Sequence, residues 1–220
     1  MLISLCIPCH NRAYDLKVTL PISLASANAS PPVEIVLVDY NSPDDLSRVV
    51  SGMWDKRISY YRYTGRDYYH MAHARNLTIR GAHGDCIVIL SADIALAPGY
   101  LPYVRKAIKP GVFLYVKDYR GVIMAERREL IEAGGYDERF EYYGSEDREL
   151  HERLERRGLV AQEIPADLLH VIRTPDDVKV KNYREPLSKR EMHAKGKAIL
   201  QESRERMTLV ANPEGWGAWT

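Results

Sequence analysis

The N-terminal half of the chain alternates short apolar runs with stretches of helical spacing. Ile3-Ser4-Leu5-Cys6-Ile7 stops at Pro8 and reads as a buried strand. From Tyr14 to Ala27, Leu16, Leu20 and Leu24 recur every fourth residue, the interval that stacks side chains on one helical face. Pro21 inside that stretch predicts a kink or a late helix start. Val33 to Val38 is a second apolar run ending at Asp39, and Asn41 to Asp45 is turn chemistry leading into a short helix. Ile58 to Tyr63 is a third strand. Ala72 to Ala82 reads as a helix, and Cys86 to Leu90 as a fourth strand running into Ser91-Ala92-Asp93.

Strands alternating with helices predict an α/β fold with a mostly parallel, Rossmann-like sheet flanked by helices. Ligands of such sheets sit at the carboxyl ends of the strands. Asp39 and Asp93 follow two central strands, so both are expected on one rim.

The second half has a different texture. Tyr119 to Ala125 reads as a strand, Arg127 to Ala133 as a helix broken by Gly134-Gly135, and Leu159 to Ile164 as a strand. Ser145 to Arg157 is expected to be helical, with Ser145 as N-cap, Glu146 and Asp147 complementing the dipole, and Gly158 as the stop. From Lys179 to Arg206, nine Lys/Arg face four Asp/Glu, which predicts a basic helical arm. Residues 213–220 are too rich in glycine for a helix. The expected organisation is one domain over 1–175, split into halves at residue 95, with 176–220 as an arm on or over the site.

Composition narrows the class. The 220 residues are 45% hydrophobic and 28% charged with a formal net charge of +1, so no global field draws the chain to nucleic acid or membrane. The basic arm leaves nucleic acid or an anionic surface open as local partners. No apolar run approaches the roughly 18 residues of a transmembrane segment. No basic leader opens the chain, which is therefore read as cytoplasmic. Cys6, Cys9 and Cys86 do not suggest a disulfide scaffold. Cys6-Ile7-Pro8-Cys9-His10 matches a haem-attachment pattern, but it continues an apolar strand and is read as part of that strand.

Asp39, Asp93, Glu146-Asp147 and His170 carry the candidate chemistry. Each also has a plain structural reading: a turn aspartate, an N-cap, dipole complements and a half-buried histidine. Their order along the chain, with the surrounding motifs, resembles the family 2 glycosyltransferases of the GT-A fold. Ile7-Pro8-Cys9-His10-Asn11-Arg12 is similar to that family's opening strand and loop, and Val38-Asp39-Tyr40-Asn41-Ser42 to its second strand and acidic turn. Ala74-Arg75-Asn76 matches its Ala-Arg-Asn helix, and Leu90-Ser91-Ala92-Asp93 resembles its metal-binding D-x-D. Gly134 to Phe140 and Gly144-Ser145-Glu146-Asp147 resemble the acceptor half of galactosyltransferase-type and chondroitin-polymerase-type members.

The resemblance implies a metal-dependent, inverting transfer of a sugar from a nucleotide-sugar, with UDP as the expected nucleotide, to an acceptor hydroxyl. Pro8, His10, Asn11, Arg12, Asp39, Asn41, Arg75 and Ala92 would hold the nucleotide, Asp39 accepting from the uracil edge. Asp93 and His170 would bind Mn²⁺ or Mg²⁺, oxygen and imidazole ligands suiting those ions. Asp147 would be the general base, Glu146 would orient the acceptor, and Tyr142, Tyr143 and Gly144 would contact it. Three positions depart from the pattern: Ser91 and Tyr40 stand where aspartates are usual, and so does Glu149. Ser91 keeps open a relative that binds nucleotide-sugar without turnover, and a nucleotidyltransferase is a further alternative. His193 and its basic neighbours are expected to form a lid over the donor.

Overall fold

The apolar runs of the first half assemble into a parallel core. The computed structural model describes residues 1–219. In it, β1 (Ile3–Cys9), β2 (Val33–Tyr40), β3 (Ile58–Tyr63) and β4 (Cys86–Ile89) lie parallel in the order β3-β2-β1-β4. Every residue of β1 and β4 is buried, as strands covered on both faces must be. Between them run α1 (Ala13–Ala29), α2 (Leu46–Gly52) and α3 (Met71–Gly81). The helix α1 begins at Ala13 and runs straight through Pro21. Pro21 is exposed, so the carbonyl it deprives of a partner can be hydrated.

The chain leaves β1 for β2 on one side and returns to β4 on the other. The crevice above β1 and β4 is therefore the switch point where such sheets take ligands. Next come β5 (Ile94–Leu96), α4 (Tyr100–Ala107), β6 (Val112–Val116) and β7 (Tyr119–Glu126). The strand β7 pairs antiparallel with β4 and extends the same sheet through β6 to β8 (Val160–Glu163). Before β8 come α5 (Arg127–Glu132) and α6 (Glu146–Arg156). The short strand β9 (Leu169–Val171) pairs antiparallel with β5 in a second, two-stranded sheet. The fold is thus the expected α/β one, a mostly parallel central sheet flanked by helices.

The basic arm contains α7 (Asp176–Val180) and α8 (Lys189–Glu205), the latter opened by a Ser188–Glu191 capping box. Docking of α8 on α6 is polar and specific. Ser203 Oγ donates to Glu149 Oε1 at 2.8 Å, and Arg204 pairs with Glu152 at 2.6 Å. Glu149 and Arg153 are both fully buried and paired at 2.7 Å, and Arg153 also donates to the carbonyls of Ala133 and Gly135. The Arg153 side chain, held by Glu149, therefore clamps the Gly134-Gly135 turn from inside. Beyond α8 the tail crosses α3 without helix: Arg80 lies over the Trp216 ring at 4.2 Å, and Gly217 N–H donates to Glu138. Among the described residues, no helix is long and apolar enough to cross a membrane.

Candidate active site

A cavity of about 720 Å³ opens at the switch point. The end of β1 supplies Pro8 and the loop after it His10 and Arg12; the segment after β4 supplies Ser91, Ala92 and Asp93. Arg75 rises from α3, Tyr143 to Asp147 come from the start of α6 and its preceding loop, and Lys179, Asn182, Tyr183 and His193 come from the arm.

The acidic end is built around Arg75. Its guanidinium is 3% exposed and donates to Asp147 Oδ1, with Glu146 Oε1 3.4 Å away. Asp147 keeps 21% of its side chain exposed, whereas Glu146 keeps 4%. Glu146 also accepts from Gly144 N–H at 2.9 Å. Burial, followed by the neighbouring Asp147 charge, pushes the Glu146 carboxyl up to about 7, against the pull of Arg75. Asp147 is thus the more accessible carboxylate and Glu146 the one held in place. Ser145 occupies the N-cap position but makes no side-chain cap bond. It adopts a left-handed φ of 75°, and the Glu146 carboxylate secures the turn instead.

Gly121 on β7 leaves room for this pair. A Cβ there would lie 2.8 Å from Arg75 Nη2 and 3.2 Å from Asp147 Oδ2. Gly144 likewise abuts the His193 ring, and Gly196 of α8 abuts the Gly144 carbonyl, so α8 rests directly on the loop that carries Asp147.

His10 is buried, its ring stacked on Tyr69 with centroids 5.5 Å apart and Nδ1 2.5 Å from the Tyr40 carbonyl. A carbonyl only accepts, so Nδ1 carries the proton and Nε2 offers a lone pair. Burial lowers its pKa, which keeps the ring neutral. Tyr40, standing where an aspartate was looked for, turns away from the cavity: its hydroxyl meets His73 Nδ1 at 2.8 Å, and His73 Nε2 meets the Ala218 carbonyl.

Several expected residues lie elsewhere. Asp39 is 1% exposed and outside the cavity lining. One carboxylate oxygen accepts from Ser42 N–H at 2.7 Å and the other from Tyr60 O–H at 2.5 Å, which fixes the turn after β2. Asn11 and Asn41 are also outside the lining. Both adopt left-handed φ, and they bond to Asn182 and to the Arg66 carbonyl respectively. Tyr142 faces Lys195 at 4.7 Å from its ring centre and does not reach the cavity, unlike Tyr143 and Gly144.

His170 is exposed and not among the lining residues. The β5–β9 register nevertheless relates it to Asp93. Ala95 faces His170, and the Asp93 carbonyl accepts from Ile172 N–H at 2.8 Å. Asp93 itself stands in the turn that leads into β5, one residue before the paired strand. Asp93 lines the cavity and His170 does not, so a cation at Asp93 would take further ligands from a donor or water. Thr174 Oγ1 donates to Asp93 Oδ2 at 3.2 Å. Among the described residues, no three acidic, histidine or cysteine side chains gather as a ready-made metal cage.

Sequence reading missed Tyr69, Gly121 and Tyr183. The Tyr183 hydroxyl is buried without a partner in the wall of the cavity. An aromatic in an irregular basic segment carries no periodic signal that would single it out. The three cysteines are free and buried, and burial pushes each thiol above its ordinary value.

The cavity, with paired carboxylates and a strand-end aspartate in its lining, lies at the switch point of an α/β fold of the GT-A class. A family model described as glycosyl transferase family 2 matches residues 4–156, and the chain belongs to that family. Three solved structures share the fold. A mannosyltransferase from Pyrobaculum calidifontis, in complex with GDP-Man and Mn²⁺, is 21% identical with a TM-score of 0.60, over 75% of this chain and 55% of its own. TarS of S. aureus, residues 1–349 with UDP, is 15% identical at TM-score 0.63, over 94% and 71%. A Drosophila β1,4-galactosyltransferase 7 variant with manganese, UDP-Gal and xylobiose is 15% identical at 0.62, over 87% and 78%. The present chain thus spans little more than half of the mannosyltransferase. No curated protein matches it.

Proposed function

We propose that this protein transfers a sugar from a nucleotide-sugar, UDP-linked by preference, to an acceptor hydroxyl with inversion at the anomeric carbon. The observation that carries the reading is that Asp147 and Asp93 face one cavity at the switch point of the sheet. Asp147, half-buried and lined up by Arg75, takes the proton of the attacking hydroxyl. Glu146 and the Gly144 amide hold the loop in register, and Tyr143 offers the acceptor an aromatic wall. The loop from Pro8 to Arg12 and Arg75 receive the nucleotide, while Asp39 acts behind it by fixing the turn after β2.

Asp93, with His170 at its margin, would hold a divalent cation, which would neutralise charge on the departing diphosphate. Lys179, Asn182 and Tyr183 close the donor end from above, so the arm serves as the roof of the site. Support for the whole comes from the family match and from neighbours of the same fold that hold GDP-Man with Mn²⁺, UDP alone, or UDP-Gal with manganese.

The test is a panel of UDP- and GDP-sugars with Mn²⁺ and simple glycoside acceptors, read as nucleoside diphosphate released and glycoside formed. Product with inverted configuration is the expected result. Ser91, in place of the usual metal-motif aspartate, favours a second reading, a binding protein without turnover. Donor binding with no diphosphate released under any metal would establish that one.

A further inference from the structure

We infer that the acceptor is an anionic saccharide chain, its charged residue held between Arg120 and Arg148; this rests on the transferase reading above. The cavity is lined by seven lysines and arginines against four aspartates and glutamates, whereas the whole chain is nearly balanced at 31 against 30. A donor diphosphate accounts for part of the excess. Arg12, Lys179 and Arg173 sit at its end of the cavity, Arg12 donating to the Val178 carbonyl and Arg173 following the strand that bonds to Asp93. Arg75 is spent on Asp147 and Glu146, Lys117 adjoins Asp118 in the lining, and Arg120 and Arg148 are left over.

Their placement is set by the catalytic pair. Arg120 precedes Gly121 and Arg148 follows Asp147, and a Cβ at Gly121 would lie 3.2 Å from Asp147 Oδ2, so the two arginines flank one close contact along the chain. Both arginines also line a second cavity of about 420 Å³, floored by Tyr115 and His151. An acceptor whose hydroxyl reaches Asp147 would run its next residue between the guanidiniums into this groove. Among the described residues, Arg120 has no carboxylate within ion-pair distance; its guanidinium lies over the Tyr115 ring at 5.7 Å. Arg148 uses its Nε on Glu152 at 2.9 Å, but Glu152 is also paired with Arg204, so Arg148 keeps charge to offer. His151 is neutral, its pKa lowered to about 4 by burial, and its Nε2 lies 3.2 Å from the Arg120 carbonyl. The exposed Glu155 marks the far end of the groove, which limits the anion to the end near Arg120 and Arg148. A carboxylate or a phosphate accepts from guanidinium N–H groups in the same way, so the two sources are separated by experiment.

The full chain is titrated at low salt with cellobiose, cellobiouronic acid, glucose 6-phosphate and inorganic phosphate, following Arg Nε–Hε signals by NMR. The expected result is that one charged saccharide binds at least about fivefold tighter than cellobiose, with loss of that preference at high salt. Whichever arm wins names a uronate or a phosphate acceptor. In an Arg120→Gln/Arg148→Gln variant with unchanged melting temperature the preference disappears, and each single exchange, both at exposed positions, halves it or more. Equal binding of neutral and charged saccharides overturns the inference. So does a preference that survives both exchanges, or inorganic phosphate binding as tightly as the charged saccharides. A separate titration with UDP and Mn²⁺ tests the transferase reading itself: no nucleotide binding there strikes at that reading and not at the charge preference.

Discussion

Arg75 and Asp147 form an ion pair in which the arginine is almost wholly buried and the aspartate still opens to the cavity. The pairing aims the carboxylate while leaving one oxygen free to accept a proton. Asp147→Asn preserves shape and removes only the proton acceptor. Turnover should fall by about 10²–10⁴-fold, with the dissociation constant for UDP within about twofold of wild type. Calorimetry beside steady-state kinetics separates the two, and a lost donor affinity with intact kcat would reverse the assignment.

Gly121 tests the same pair from the other side. Its φ is not left-handed, so alanine is allowed by the backbone, and the added methyl group meets only Arg75 and Asp147. Gly121→Ala should lower kcat by tenfold or more, because a displacement of under an ångström near the reacting atoms is costly. The melting temperature should shift little. Unchanged kcat would mean that the position of the carboxylate does not govern the chemistry.

The parallel half of the fold was legible because strands buried on both faces must be written as unbroken apolar runs, as β1 and β4 are. Most elements that passed unread were short or interrupted, the exception being the apolar strand Val112–Val116. Ile94–Leu96 and Leu169–Val171 are three-residue strands, and Tyr100–Ala107 carries Pro102 inside one brief helix. Asp93, Arg75 and Asp147 could be named from motif order, and the structure gathers all three around one cavity. The partners of Asp39 could not be read in advance. The Ser42 amide and the Tyr60 hydroxyl come from a turn and from a neighbouring strand that a linear reading does not bring together. The same holds for Tyr40, whose hydroxyl is claimed by His73, itself bonded to the carbonyl of Ala218 far along the chain.

The cation site yields a graded expectation. Asp93 lines the cavity, and His170 lies opposite Ala95 in the β5–β9 ribbon that begins beside it. Asp93→Ala should abolish Mn²⁺-stimulated turnover and the rise in melting temperature that Mn²⁺ plus UDP produces. His170→Ala should raise the Mn²⁺ concentration for half-maximal activity by about tenfold and leave the maximum nearly unchanged, as loss of a peripheral ligand does. If His170→Ala matches wild type across a Mn²⁺ titration, Asp93 is the sole protein ligand.

Buried Glu149 and Arg153 predict a stability effect remote from the chemistry. Removing one partner strands a charge that has no route to water, and Arg153 also secures the carbonyls of Ala133 and Gly135. Glu149→Ala should cost about 3–5 kcal/mol in urea unfolding. A loss below about 1 kcal/mol would show that water reaches the site.

Glu146 sets the dependence of stability on pH. Its carboxyl has an ordinary value of 4.5 and is pushed up to about 7 in the folded chain, first by burial and then by the charge of Asp147. The folded state therefore holds this proton more tightly than the unfolded one. Stability from this group is fully present below pH 4.5 and is lost as pH rises through about 7, levelling off above that. Glu146→Gln keeps an oxygen for the Gly144 amide and removes the titration. The melting temperature of the wild type should therefore decline from pH 5 to pH 8 relative to the glutamine variant, whose own profile lacks that decline. Parallel profiles for the two proteins would mean that Glu146 is ionised throughout and that Arg75 carries two negative partners at every pH in the range.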